Sequence, residues 1–399
     1  MLSCLRQAFY DSPFAAATNN LAFLRSKGKS VIYLDNNATT RVDPLVLSEM
    51  MPYLTDTYGN PSSRHHLFGW QAAEAIEHAR EQLAALINAD PHEIIFTSGA
   101  TESNNMVLKC TGAQKIVISR IEHSSVLKPC EWLETNGCQV SMMSAESNGI
   151  AIPNGTTADA DLVSLMLANN ETGVIQPIGE YRKLWSKAKF HSDMAQALGK
   201  IPIDVKTLDI DYASFSGHKI YGPKGVGALY IKGGTDDSIF PLLHGGGHEK
   251  GLRAGTQNVP AIVGLGKACE IAKQRFDDDY WHVKTLKYEL RNRLLYHFGH
   301  WRVRFHGENS PTLPGCLCLW IDCGNMDVFL AKLCESVAVS SGSACLSLSG
   351  SQSYVLAAMG VPEDEIRKSI RMSIGRFNTK EDILQAVDFI IEAFEESWR

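Results

Sequence analysis

The sequence predicts an α/β protein in two units, a larger one on a mainly parallel sheet and a smaller α+β one after it. Three observations carry this. Short β-rich runs alternate with amphipathic helical stretches from about Val31 to Ala272. The texture changes at Asp277-Asp278-Asp279, where a long helical pattern begins. The composition is that of an ordinary globular chain, 399 residues with 44% hydrophobic and 21% charged. Strand and helix in alternation are what a buried parallel sheet requires, because each crossover lays a helix on a sheet face.

Taken in order, residues 1–30 read as an N-terminal extension. Arg6, Arg25, Lys27 and Lys29 stand there against one acid, Asp11, among alanines and serines. That composition loosely fits a mitochondrial transit peptide. The plainer reading, an ordinary extension, places the protein in the cytoplasm. The larger unit is expected over residues 31–276. Its strand-like runs include Glu93-Ile94-Ile95-Phe96, Lys115-Ile116-Val117-Ile118 and the apolar segment from Leu162 to Leu167, and Gln71 to Asn88 is an amphipathic helix. The smaller unit is expected over residues 277–399. It opens on a helix with Trp281, Leu286, Leu290 and Leu294 on one side. It closes on a capping box, Thr379-Lys380-Glu381-Asp382, followed by Leu384, Val387, Ile391 and Phe394 at helical spacing. No internal repeat interrupts this order.

Charge and cysteine usage exclude several functions. With 38 basic against 44 acidic residues the net charge is −6, so no tight nucleic-acid partner is expected. No run approaches the roughly 18 to 20 apolar residues of a membrane span. The 10 cysteines are scattered and form no CxxC pair, Cys316-Leu317-Cys318 being the tightest spacing. They read as reduced, mostly buried thiols, and no metal site is expected.

Four segments carry chemistry. In Thr97-Ser98-Gly99-Ala100-Thr101 a strand ends in a small-residue turn and a helix starts at the threonine, which exposes N–H groups and a positive dipole end to an anion. In Ser216-Gly217-His218-Lys219 a lysine beside a histidine is held between glycines, as a Schiff-base lysine must be. Lys224 is its local rival, between Pro223 and Gly225 in what looks like a turn. In His191-Ser192-Asp193 an acid follows a strand and opens a helix, where it can pair with a protonated pyridine nitrogen. In Ser341-Gly342-Ser343-Ala344-Cys345 a single thiol sits in a small, polar run. Each has a plainer reading by itself: a capped turn, a surface lysine, a helix N-cap, an incidental loop cysteine. Together, anion site, lysine and acid are the three anchors that pyridoxal phosphate requires.

With these segments in place the chain resembles the cysteine desulfurases of the NifS and IscS type, in the class V aminotransferase group. The resemblance runs from about Tyr33 to Phe377 and rests on ordered motifs. They include Tyr33-Leu34-Asp35-Asn36-Asn37-Ala38-Thr39-Thr40, Glu122-His123, Asn169-Asn170-Glu171-Thr172-Gly173, Arg253-Ala254-Gly255-Thr256 and Ile370-Arg371-Met372-Ser373. It implies the type I fold of pyridoxal-phosphate enzymes, with a seven-stranded sheet in the larger domain. By position, it implies Lys219 as the Schiff-base lysine, Asp193 as partner of the pyridine nitrogen and His123 stacked on the ring. Gln196 would bond the phenolic oxygen. Ala100, Thr101, Ser216 and His218 would hold the phosphate, joined by Thr256 from the second subunit of a homodimer. Asn170 and Arg371 would bind the substrate carboxylate.

Cys345 resembles the nucleophile. It would take sulfur from L-cysteine as a persulfide, leave L-alanine and pass the sulfur to an acceptor protein such as an iron–sulfur scaffold or a sulfur carrier. Downstream, cluster assembly, tRNA thiolation and sulfur modification of DNA are all open. Met194 and the text after Cys345 (Leu346, Leu348, Gly350-Ser351-Gln352) depart from the family pattern. Cys316, Cys318, Cys323 and Cys334 match no known site and read as structural thiols. Selenocysteine lyase is the nearest alternative, and an inactive scaffold for sulfur-transfer partners is a further one.

Overall fold

The structure, a computed structural model, describes residues 31–154, 156, 159–235, 239–341 and 352–399. Its larger sheet contains β2 (Ile94–Thr97), β3 (Lys115–Ser119), β4 (Gln139–Ala145), β5 (Ala151–Ile152), β6 (Leu162–Ser164), β7 (Lys189–Asp193), β8 (Tyr212–Ser216) and β9 (Gly227–Ile231). The order is β2-β9-β8-β7-β6-β3-β4-β5. The five strands from β8 to β4 run parallel, and antiparallel pairs close both ends. The sheet therefore has eight strands where seven were expected. The additional one is the two-residue β5, which folds back on β4 through a turn at Asn148-Gly149. Asn148 Oδ1 accepts from Ile150 N at 2.9 Å and Gly149 takes φ 86°, a conformation glycine adopts without a Cβ clash.

Helices cover this sheet. Leu67–Ile87 begins four residues before the expected Gln71, where His66 Nδ1 caps Gly69 N, and it ends at Asn88 in the left-handed conformation. It packs on Val259–Gln274 so closely that a Cβ on Gly266 would lie 2.6 Å from Ala79 Cα. One continuous apolar core fills this layer, running from Val46 through Phe190 and Phe215 to Leu265.

A second core lies apart. Its sheet, in the order β10-β11-β14-β13, pairs β10 (Val303–Phe305), β11 (Cys316–Ile321), β14 (Ser369–Ser373) and β13 (Ser340–Ser341) antiparallel throughout. The chain's first strand joins this core rather than the large sheet. β1 (Ile32–Tyr33) runs parallel to β12 (Val337–Ala338), and Ile32 and Leu34 pack among Leu290, Leu319 and Val387. Helix Phe276–Phe298 buries Val283, Leu286, Leu290 and Leu294, but Trp281 is exposed. Five residues before Leu286, it stands well around the helix from the stripe. Thr379 and Asp382 form the expected reciprocal cap, with Asp382 N on Thr379 Oγ1 at 3.1 Å and Thr379 N on Asp382 Oδ2 at 2.8 Å. The stripe behind that cap centres on Ile383, Val387, Ile390 and Phe394, leaving Leu384 and Ile391 at its margin.

The described cysteines are all free. Cys316, Cys318 and Cys323 are buried, as structural thiols should be, while Cys334 is exposed. Cys4 and Cys345 lie outside the described residues. Among the described residues no helix is long and apolar enough to cross a membrane.

His191, on β7, is fully buried between Ser164 Oγ at 2.8 Å and Ser214 Oγ at 3.0 Å, and burial lowers its pKa to about 4. The folded state thus refuses a proton that the unfolded chain accepts below about pH 6.5. Its contribution to stability is complete above that pH and is lost as the pH falls towards 4, by about 1.4 kcal/mol per unit. Denaturant unfolding at pH 7 and pH 5 should show His191→Gln losing about 2 kcal/mol less than the parent across that interval. Equal losses would mean that the ring is not held neutral.

Candidate active site

A cleft of about 680 Å³ opens at the C-terminal ends of the parallel strands. Loops leaving those ends converge there in α/β sheets, which brings together residues far apart in the chain. Of the residues expected at the site, all but Thr256 and Cys345 line this cleft. Thr256 is exposed and does not line the cleft of its own chain. Cys345 lies outside the described residues.

At one end, β2 turns through Ser98 and Gly99 into the helix Ala100–Cys110, which starts one residue before the expected threonine. Gly99 has φ 153° and offers no side chain to cap the first turn, so the helix N-terminus faces the cleft. The turn is pressed against β9: a Cβ on Gly227 would lie 2.5 Å from Gly99 Cα and 2.3 Å from Phe215 O. Ser216 and His218 line the cleft with it. The His218 pKa is lowered to about 4 by burial and by the cations Lys219, Lys224 and Lys200. Hydroxyls, an imidazole and a helix N-terminus make a donor set that fits a phosphate.

Lys219 ends a short 3₁₀ turn, Gly217–Lys219, directly after β8. Two glycines make the turn possible, since a Cβ on Gly222 would lie 2.8 Å from Gly217 O. Lys219 Nζ donates to Asn37 O at 2.6 Å and Ala38 O at 2.8 Å. Burial, and then the nearby Arg371, lower its pKa to about 8, against the pull of Asp193 and Asp35. That is how a lysine becomes nucleophilic near neutrality. Lys224 also lines the cleft, but the pair of carbonyls that immobilises an amine belongs to Lys219.

Asp193 is the last residue of β7, and the chain beyond it forms a turn instead of the expected helix. Its Oδ1 accepts from Ala195 N at 3.0 Å and its Oδ2 from Asn104 Nδ2 at 2.7 Å. Asn104 also donates to Ser125 Oγ at 2.8 Å, and Ser125 Oγ lies 2.7 Å from His123 Nδ1. Because Nδ1 also accepts from Ser125 N at 3.1 Å, the neutral His123 ring carries its proton on Nε2. Desolvation by the cleft walls, with Lys219 adding and Asp193 opposing, lowers the His123 pKa and favours that neutral form.

Arg371, on β14, closes the opposite side. Its Nη2 donates to Asp35 Oδ1 at 2.7 Å and Ser340 Oγ at 2.6 Å, and its Nη1 to Asn170 O at 2.9 Å. Its Nε and Asn170 Oδ1 are buried with no protein partner among the described residues. Unsatisfied buried polar atoms on two cleft-lining residues mark where a polar ligand completes the structure. The sequence did not assign Asn104, Asn37 or Asp35 a role. Asn104 was within reach of helical phase, since it lies one turn after Ala100. The other two depend on long-range contacts that no local pattern carries.

The chain is 44% identical over 373 residues to a human cysteine desulfurase, covering 90% of this chain and 81% of that protein. It is 45% identical to the cysteine desulfurase IscS of Rickettsia akari, covering 90% of each. A solved NifS-like protein superposes with a TM-score of 0.83 at 36% identity, covering 91% of this chain and 99% of that one. The aminotransferase class-V pattern matches residues 32–386, and the chain belongs to that family.

Proposed function

We infer that this protein is a cysteine desulfurase that works with pyridoxal 5′-phosphate. The observation that carries the reading is one cleft holding an immobilised lysine of lowered pKa, a buried acid, an open helix N-terminus and a half-satisfied arginine. Lys219 would hold the cofactor covalently, with Asp193 at its ring nitrogen, Gln196 at its phenolic oxygen and His123 against the ring. Ala100, Thr101, Ser216 and His218 would hold its phosphate. When bound, pyridoxal phosphate supplies an electron sink for the substrate carbon skeleton.

The chain's own residues do the rest. Arg371 and Asn170 grip the carboxylate of L-cysteine and orient the substrate. Lys219, with its lowered pKa, moves a proton at the α-carbon. His123 offers the Nε2 proton to the substrate. Cys345, as thiolate, attacks the substrate sulfur; the C–S bond breaks, the persulfide stays on the enzyme and L-alanine leaves. An acceptor, such as an iron–sulfur scaffold or sulfur carrier, then takes the sulfur.

The parent protein, given L-cysteine and a reductant, should release alanine and sulfide in equal amounts. Cys345→Ala should keep the visible absorbance of the bound cofactor and release neither. Undiminished turnover by the variant would point to a lyase that uses no persulfide.

A homodimer belongs to the same reading. Leu45, Leu54, Tyr58, Leu67 and Trp70 are large, apolar and exposed between residues 45 and 70, which suits a face covered by a second copy. Thr256, outside its own cleft, would then serve the partner's phosphate site. Sedimentation should show a dimer, and a stable, active monomer would remove the role given to Thr256. Division at 276/277, with Ile32 and Leu34 lent to the smaller core, is supported by two of the apolar clusters, one around Phe190 and Leu265 and one around Leu290 and Val387. We place the protein in the cytoplasm, with a mitochondrial address if residues 1–30 act as a transit peptide.

A further inference from the structure

Lys200 is a partly buried cation to which the proposed reaction gives no work. It does not line the main cleft but a separate cavity of about 40 Å³, shared with Asn37, Cys316 and Arg376. Its Nζ donates to Gln196 Oε1 at 3.0 Å and Asn37 Oδ1 at 3.2 Å. It forms no ion pair with a carboxylate among the described residues, and the charged groups that act on it most are the cations Lys219 and Arg371. Burial, and Lys219 after it, lower its pKa to about 7. A third cation beside Lys219 and Arg371 is costly, and an apolar side chain of the same length would fill the space without that cost.

What an apolar side chain lacks is donors. While it carries its proton Lys200 has donors only, so both amides it touches then turn their oxygens towards it. The NH₂ groups are then forced the other way. Gln196 Nε2 donates to Asn37 O at 2.9 Å, and Asn37 Nδ2 donates to Asn170 O at 3.3 Å. Asn37 O is also the carbonyl that holds Lys219 Nζ at 2.6 Å. We propose that Lys200 is a positioning residue that sets the amide polarity of Gln196 and Asn37, so that Gln196 presents an N–H to the phenolic oxygen of the cofactor. This rests on the cofactor roles proposed for Gln196 and Lys219.

The test is a pH titration of the bound cofactor's visible absorbance in the holoenzyme. Lys200→Met, which has no donor, should raise the midpoint by about one unit, a tenfold change in proton affinity. Lys200→Gln, which keeps a donor without the charge, should stay within about 0.3 unit of the parent, against the roughly one unit expected of the methionine variant. In a Gln196→Leu background, Lys200→Met should add nothing further. Equal shifts in the methionine and glutamine variants would overturn the proposal in favour of a bare charge effect, as would a full additional shift in the double variant. A titration unmoved by Lys200→Met but moved by Gln196→Leu would overturn it and leave the Gln196 assignment standing. A titration that Gln196→Leu does not move would overturn both. If Lys200→Met does not fold, a one-unit shift in Lys200→Gln alone overturns the proposal.

Discussion

Lys219→Ala will release no alanine or sulfide from L-cysteine, with turnover below about one ten-thousandth of the parent's, the upper end of what loss of one acid–base group costs. The loss is this large because, on the proposed mechanism, one amine would do two jobs: hold the cofactor and move the α-proton. Neighbouring groups cannot substitute. Lys224 lines the cleft, but the carbonyls of Asn37 and Ala38, at 2.6 Å and 2.8 Å, hold the Lys219 amine. The purified variant should also lack the visible absorbance of covalently held cofactor and lose the cofactor on dialysis. Its fold should survive, because Lys219 is half-buried and the adjacent Arg371 disfavours its charge. Unchanged absorbance with unchanged turnover would transfer the role to Lys224.

Arg371→Lys will raise KM for L-cysteine about a hundredfold, the equivalent of some 3 kcal/mol, with a smaller change in kcat. Charge is kept, so the pairing with Asp35 can persist and the strand β14 should stay in place. What goes is the planar fork. Arg371 spends Nη1 on Asn170 O and Nη2 on Asp35 and Ser340, and Nε is left without a partner among the described residues. A lysine ammonium cannot serve three protein acceptors and a substrate carboxylate from one atom. Steady-state kinetics with L-cysteine decide the matter. An unchanged KM with a fallen kcat would mean that Arg371 acts in the chemistry and not in carboxylate binding.

Much of this molecule was legible in the sequence because its signals are local. Alternation of β-rich and amphipathic runs gave the large sheet with its helices, and the Thr379–Asp382 cap marked the start of the last helix. The turns at Gly99 and at Gly217 to Lys219 marked where a helix N-terminus is left uncapped and where an amine is held. Less legible were features settled by competition between neighbours. Asp193 looked like a helix N-cap, yet the chain after it forms a turn, and the buried Met194 joins the core there. Trp281 fitted a helical pattern by eye but stands off the buried stripe. The short β5 was invisible because two residues carry no periodicity.

By itself, then, the sequence determined the fold class, the chain order of the anchors and the residue types able to hold a phosphate, an amine and a carboxylate. Those are properties of single segments, and periodicity, turn chemistry and side-chain inventory report them directly. Only the tertiary structure decided which atoms meet. Lys219 is held by a carbonyl 182 positions earlier in the chain, Gln196 bonds one 159 positions away, and Arg371 is tied to Asp35 across 336. The first strand, which lies next in sequence to the larger unit, packs its apolar residues into the smaller one. Local pattern measures position along one strand or one helix. The meeting of strand ends at a common edge is a property of the sheet, and it is fixed by how the whole chain buries its apolar surface.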